Sequence, residues 1–214
     1  MSLLTADTDY FPPFECAEEG GLVAAGGDLS PQRLLAAYTR GIFPWYGPNL
    51  PLLWWSPDPR CVVWVQDFHA PRRLLRRRRR GDFFFTVNEA FTEVMRCCAS
   101  VPRQGQAGTW IVPEMIEAYS LLHRMGYAHS VEAWQGTRLV AGLYGVALGR
   151  VFFGESMFTL CPDASKLALL ELVDRLRAMH VCLLDCQQYT AHMARFGAVE
   201  IPRKDFVAQL AHLL

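Results

Sequence analysis

From Cys61 onward, short apolar runs with strand-like alternation take turns with longer runs whose apolar residues recur every three or four positions. A chain patterned in this way folds as a sheet with helices laid on it. The pattern predicts strands over Cys61 to Val65, Phe83 to Val87, His129 to Trp134, Arg138 to Ala147, Val151 to Gly154 and Val181 to Asp185, with Gln135-Gly136 as a hairpin turn. It predicts helices over the arginine-rich segment, over Asn88 to Cys98 with a side-chain cap, over Pro113 to Met125, and over Ala164 to Met179 with Asp163 as cap. In the last of these Leu167, Leu170, Leu176 and Met179 face a core, and two more helices follow. The first 60 residues differ: one helix, capped by Ser30 and opened by Pro31, sits among Pro, Gly and Trp that suggest a rigid irregular surface. The fold class is therefore α+β (mixed α/β), with a small N-terminal domain over 1–60 and the main domain over 61–214.

Charge is distributed unevenly. Arg72, Arg73, Arg76, Arg77, Arg78, Arg79 and Arg80 put seven of the 21 basic residues into nine positions, with none of the 21 acidic residues among them. A concentrated positive field on an otherwise acidic chain points to a polyanion partner, and phosphates are gripped by such clusters. The most apolar stretch, Leu139 to Phe153, is interrupted by glycines and Arg150, so no membrane span is expected. The first residues carry neither a basic start nor an apolar run, and a cytoplasmic enzyme is the expected class. Seven cysteines with no CxxC pair argue against a disulfide framework and a four-ligand zinc site. HExxH, GxxxxGK[ST] and GxGxxG are all absent, so no metal, nucleotide or other cofactor is expected.

Three places carry polar residues where a strand ends, the position of the ligand crevice in open sheets. Glu155 directly follows the apolar strand that begins at Val151, Asp185-Cys186-Gln187 closes another strand, and Gly108-Thr109-Trp110-Ile111 presents an aromatic before a helix. Cys186 and His192 could also be read as a nucleophile and its base, although sequence neighbours seldom pair in that way.

In chain order, residues 26–31, 41–45, 54–60, 108–111, 128–132, 154–158, 164–166, 184–187 and 197–203 resemble the signatures of the leucyl/phenylalanyl-tRNA–protein transferase family, across roughly residues 20–210. The resemblance implies a GNAT-like (acyl-CoA N-acyltransferase-like) C-terminal domain. It implies transfer of Leu or Phe, and less readily Met, from aminoacyl-tRNA to acceptor proteins with N-terminal Arg or Lys, marking them for N-degron proteolysis. Asp185 and Gln187 take the catalytic centre by resemblance, Asp185 either orienting the acceptor amine or acting through Gln187 in proton transfer. Glu155 holds the basic acceptor end. Trp110, Tyr119, Leu143, Phe152 and Met157 form the apolar pocket, with Ser165 in the substrate site and Trp45 beside the terminal adenosine. The seven arginines grip tRNA phosphates.

The activated ester of aminoacyl-tRNA needs no ATP, metal or cofactor. Peptide-bond formation asks only for a neutral amine in place, removal of its proton and support for the oxyanion. Residues 158–165 contain no glycine, so they lack the loop that holds the CoA pyrophosphate in related folds, and no CoA is expected. Three positions depart from the family pattern: Leu143 where Met is frequent, Arg195 where a small polar residue is common, and an end at Leu214 short of the extension in some relatives. Two other readings remain, a non-catalytic RNA-binding protein and a GNAT-like transferase with a different acyl donor.

Overall fold

The computed structural model describes residues 2–4, 10–101 and 110–214. Gly108 and Thr109 of the glycine-led turn lie outside the described residues.

The first sheet has four strands, β1 (Ser2–Leu4), β2 (Leu22–Gly26), β3 (Phe43–Pro44) and β4 (Leu53–Trp55), in the order β1-β2-β4-β3. Helix α1 (Pro31–Tyr38) is capped by Ser30, whose hydroxyl accepts the Arg33 amide at 3.4 Å. The irregular surface expected for the first 60 residues is corrected by β4. Trp54 is fully buried within this sheet, and its indole donates to the Gly26 carbonyl at 2.9 Å. The indole N–H has a buried partner, which lets so large a ring serve as core.

The second sheet runs β11-β5-β10-β9-β8-β7-β6. Its members in chain order are β5 (Arg60–Trp64), β6 (Phe84–Val87), β7 (Ala128–Gln135), β8 (Arg138–Leu148), β9 (Val151–Thr159), β10 (Leu183–Gln187) and β11 (Val199–Ile201). In this sheet β9 and β10 are the one parallel pair among the described residues, joined by the crossover helix α5 (Ala164–Ala178). Between β5 and β6 lies α2 (Arg72–Arg78), then come α3 (Phe91–Ser100) and α4 (Pro113–Arg124), and α6 (Ala191–Ala194) and α7 (Arg203–Leu213) follow β10 and β11. The mixed α/β class is as expected.

The central strands are buried on both faces, which is why they read as near-continuous apolar runs. Phe152 packs in the core beneath α5, while its neighbour Phe153 packs with α1, α3 and α4 on the opposite face. Leu167, Leu170 and Leu176 are buried as the helical period predicts, but Met179 lies past the helix end and is 64% exposed.

Two expected caps are corrected. Asn88 precedes α3, but its side-chain oxygen accepts the Ser130 amide at 3.0 Å and leaves the helix uncapped. Asp163 adopts a left-handed backbone, and its carboxylate pairs with Lys166 at 2.6 Å rather than with helix amides. In both cases a competing partner for the short polar side chain won.

Candidate functional site

The parallel ladder between β9 and β10 runs only as far as Phe153 opposite Asp185. Immediately beyond it both strands bulge. On β9 the pairing with β8 jumps from Gly154–Gly145 to Ser156–Tyr144, so Glu155 is the extra residue. On β10 the pairing with β5 jumps from Asp185–Val62 to Gln187–Cys61, so Cys186 is extra and Gln187 takes φ 63°. A bulge re-aims a side chain and bends its strand. Holding a non-glycine residue in the left-handed region costs about 1 kcal/mol or more. Gly145, opposite the β9 bulge, has no room for a side chain: a Cβ there would stand 2.2 Å from the Phe153 carbonyl oxygen. The two bulges turn Glu155 and Gln187 towards each other, with Gln187 Nε2 donating to Glu155 Oε1 at 3.1 Å. Glu155 therefore lies inside β9, not just after a strand, which corrects the expected position.

Glu155 is 8% exposed. Tyr38 of α1 donates to its Oε1 at 2.8 Å, and the Tyr38 and Tyr119 hydroxyls meet at 2.5 Å. Glu155 Oε2 has no hydrogen-bond partner. Burial pushes the Glu155 carboxyl up to about 7, against the opposing effect of the Tyr38 hydrogen bond. Burial and the Glu155 charge also raise both tyrosines well above the ordinary phenol range.

Asp185 is fully buried. Arg60 Nε donates to its Oδ1 at 2.9 Å and Nη2 to its Oδ2 at 2.6 Å, while Arg60 Nη1 donates to the Gly41 carbonyl at 3.1 Å. The guanidinium lies between the rings of Phe43 and Phe206, at 4.9 and 4.6 Å. Asp185 Oδ1 also accepts the Gln187 backbone amide at 2.9 Å. The buried ion pair thus anchors the backbone that carries Gln187.

Two cavities meet at Glu155 and Cys186. One, of about 300 Å³, opens where β9 and β10 separate and is lined by Leu143, Phe152, Met157, Leu169, Leu172 and Leu184 among others. The other, of about 250 Å³, has Trp45, Trp110, Gln187 and Gln188 in its wall. Of the residues singled out by sequence, Leu143, Phe152 and Met157 come together in the first cavity, and Trp45, Trp110 and Gln187 in the second. Glu155 stands in both. Tyr119 is buried behind Glu155 instead of in either wall, and Ser165, also buried, lines neither. Sequence reasoning missed Arg60 and Tyr38, because their partners Asp185 and Glu155 lie far along the chain and no local spacing links them.

Cys186 and His192 both border the first cavity. The adjacent Cys61 thiol and burial push the Cys186 thiol well up, and burial pulls the His192 imidazole down. That is the reverse of a thiolate–imidazolium pair. Among the described residues no group of His, Cys, Asp or Glu is arranged to hold a metal ion, and no helix is long and apolar enough to cross a membrane.

The arginine run forms α2, as expected, with Leu74 turned into the core. Arg78 pairs with Asp174 at 2.6 Å and with Glu171 at 3.2 Å, and Arg77 pairs with Asp82. Arg72, Arg73, Arg76, Arg79 and Arg80 are exposed and make no ion pair among the described residues.

Two family models match in sequence order. The leucyl/phenylalanyl-tRNA protein transferase N-terminal domain matches residues 27–58, and the leucyl/phenylalanyl-tRNA protein transferase model matches residues 62–211. A leucyl/phenylalanyl-tRNA–protein transferase of Nitratidesulfovibrio vulgaris (strain DP4) is 58% identical over 210 residues, 98% of this chain and 90% of that protein. One from Lawsonia intracellularis is 52% identical, over 98% of this chain and 92% of that protein. Among solved structures, FemX aligns at 10% identity over 74% of this chain and 60% of its own, with a TM-score of 0.46, a likeness too loose to bear on function. A mixed α/β fold with a carboxylate-edged apolar cleft, matched along nearly its whole length to transferases, is itself a transferase. The chain belongs to the leucyl/phenylalanyl-tRNA–protein transferase family.

Proposed function

We propose that this chain moves leucine or phenylalanine, and less readily methionine, from aminoacyl-tRNA to acceptor proteins whose first residue is Arg or Lys, marking them for N-degron proteolysis in the cytoplasm. The observation that carries the reading is the unpartnered Oε2 of Glu155, buried where the apolar and aromatic cavities meet. A buried carboxylate oxygen without a donor is costly. The cationic end of a basic acceptor supplies that donor, beside a cavity suited to an aliphatic or aromatic acyl side chain.

The cavity of Leu143, Phe152 and Met157 takes the aminoacyl side chain, and Trp45, with Trp110 across the second cavity, stacks on the terminal adenosine. With both Asp185 oxygens engaged by Arg60, the alternative in which Asp185 works through Gln187 is the better supported. The amide oxygen of Gln187 then accepts a hydrogen bond from the acceptor's α-amine as that amine attacks the ester carbon. The C–N bond forms as the ester C–O bond breaks, and the proton given up by the amine passes to the departing tRNA 3′ oxygen, which leaves as a hydroxyl. Ser165 has only a supporting place in this scheme, as part of the helix beneath the acyl cavity.

The exposed arginines of α2 hold tRNA phosphates, which carry little base information and so admit several tRNAs. The division at residue 60, with a GNAT-like larger part over 61–214, is part of the same proposal. It is supported by the parallel β9–β10 pair joined through α5. The donor arrives already activated, so the scheme uses neither CoA nor another cofactor.

The test uses labelled Leu-tRNA with one acceptor beginning in Arg and the same acceptor beginning in Ala. Label on the Arg acceptor alone supports the proposal. Equal labelling of both removes the acceptor rule, and no labelling with tight binding of charged and uncharged tRNA alike favours a binding protein.

A further inference from the structure

Beside the apolar cavity lies a depression of different character, of about 230 Å³, edged by Arg73 of α2, Lys166 of α5 and Arg195 just after α6. Asp163 is the single carboxylate in its wall, and its Oδ1 already holds Lys166 Nζ at 2.6 Å. Arg73 and Arg195 are exposed and make no ion pair among the described residues. Three cations against one engaged carboxylate leave a net positive pocket. The N-terminal end of α5 adds to it, since Asp163 sends its side chain to Lys166 and not to the helix amides.

His192 borders both this depression and the acyl cavity, and its Nε2 is buried without a hydrogen-bond partner. Burial first, and then the Lys166 and Arg195 charges, hold the imidazole below its ordinary range. The depression therefore adjoins the arginine helix at Arg73 and the acyl cavity at His192.

A ligand that spans both is the strand that carries the acyl group, and its anionic groups are its phosphodiesters. The geometry points to a subsite at Arg73, Lys166 and Arg195 for one backbone phosphodiester of the single-stranded 3′ end of the acyl donor. This rests on the proposed function for the identity of the donor. Two guanidiniums and an ammonium around a small depression suit a compact, singly charged anion, with the arginines able to bind through paired N–H groups.

Calorimetry with three probes tests it. The first is phenylalanine in amide linkage to 3′-amino-3′-deoxyadenosine, which has no phosphate. The second is the same compound extended by a 5′ cytidine through one phosphodiester, and the third is the dinucleotide cytidylyl-adenosine, which has the phosphodiester but no aminoacyl group. The one-phosphate probe should bind about tenfold more tightly than the nucleoside probe. Arg195→Ala and Lys166→Ala should each remove most of that gain while leaving the nucleoside probe's Kd unchanged, and weaken the unacylated dinucleotide by a similar factor. A gain that survives Arg195→Ala overturns the subsite. Arg195-dependent binding of inorganic pyrophosphate, with the dinucleotide gain unaffected, also overturns it by showing a site for free anions. Failure of the nucleoside probe with Arg195-dependent dinucleotide binding would sink the acyl-cavity reading and leave the subsite standing.

Discussion

Arg60 holds Asp185 with both edges of its guanidinium, Nε to Oδ1 at 2.9 Å and Nη2 to Oδ2 at 2.6 Å, and neither side chain reaches solvent. The pair ties β5 to β10 beneath Gln187, so its first function is to hold the site's backbone. Removing one partner of a buried pair leaves an uncompensated charge and costs about 3–5 kcal/mol, whereas an apolar replacement of both is often tolerated. Arg60→Ala should lower stability by about that amount in urea unfolding. The double variant Arg60→Met with Asp185→Leu should recover most of the fold and stay inactive, since the Gln187 amide has lost its acceptor. Asp185→Asn should lose most transfer and keep tRNA binding. A single variant destabilised by less than about 1 kcal/mol would show that the pair does not organise the site.

Glu155 gives a pH signature. Folding raises its carboxyl from an ordinary 4.5 to about 7, so between those values the folded chain binds the extra proton. Its contribution to stability is whole below about 4.5 and is lost as pH rises through about 7. Glu155→Gln does not titrate. Its melting temperature relative to the wild type should therefore climb between about pH 4.5 and about pH 8, by the equivalent of about 3 kcal/mol at most. Over the same range the acceptor KM of the wild type should fall as the carboxylate forms, and that limb should vanish in the Gln variant. A pH-independent difference in melting temperature would place the carboxyl's titration outside this window.

What was legible in the sequence, and what was not, divides on physical lines. Strands such as Val151 to Phe153 announced themselves because they are buried on both faces, and α1 because its cap and its proline are local. Trp54 was misread because β4 is three residues long and too short to show a period. The caps at Asn88 and Asp163 failed because each side chain found a partner outside the helix amides, Ser130 across the sheet for one and Lys166 for the other. Glu155 and Gln187 were picked out, but their meeting depends on two bulges, and a bulge depends on which strand lies alongside. Arg60 and Asp185 are 125 positions apart, and only the folded sheet brings them together.

The acyl cavity should discriminate by volume. Leu143 and Met157 sit opposite each other on β8 and β9 and both line it. Leu143→Phe adds a ring to the wall, so phenylalanine should be excluded more strongly than leucine. The ratio of kcat/KM for Leu-tRNA over Phe-tRNA should rise by about tenfold, the scale on which apolar pockets discriminate. Equal loss for both donors would show that residue 143 shapes the fold and not the specificity.

The seven arginines are not equivalent. Arg77 and Arg78 are engaged by Asp82, Glu171 and Asp174, so they fasten α2 to the body of the protein, while Arg72, Arg73, Arg76, Arg79 and Arg80 face solvent. Each phosphate neutralised contributes a little under one unit to the slope of log K against log salt. Replacing the five exposed arginines by Ser should flatten that slope for tRNA binding by about four units, with little change in melting temperature. Replacing Arg77 and Arg78 should change the slope by about one unit or less and lower the melting temperature, because the lost contacts are intramolecular. Equal slope changes per arginine in the two sets would mean that the acidic partners release Arg77 and Arg78 when RNA arrives. The helix would then be a seven-charge grip rather than a five-charge grip on a two-charge anchor.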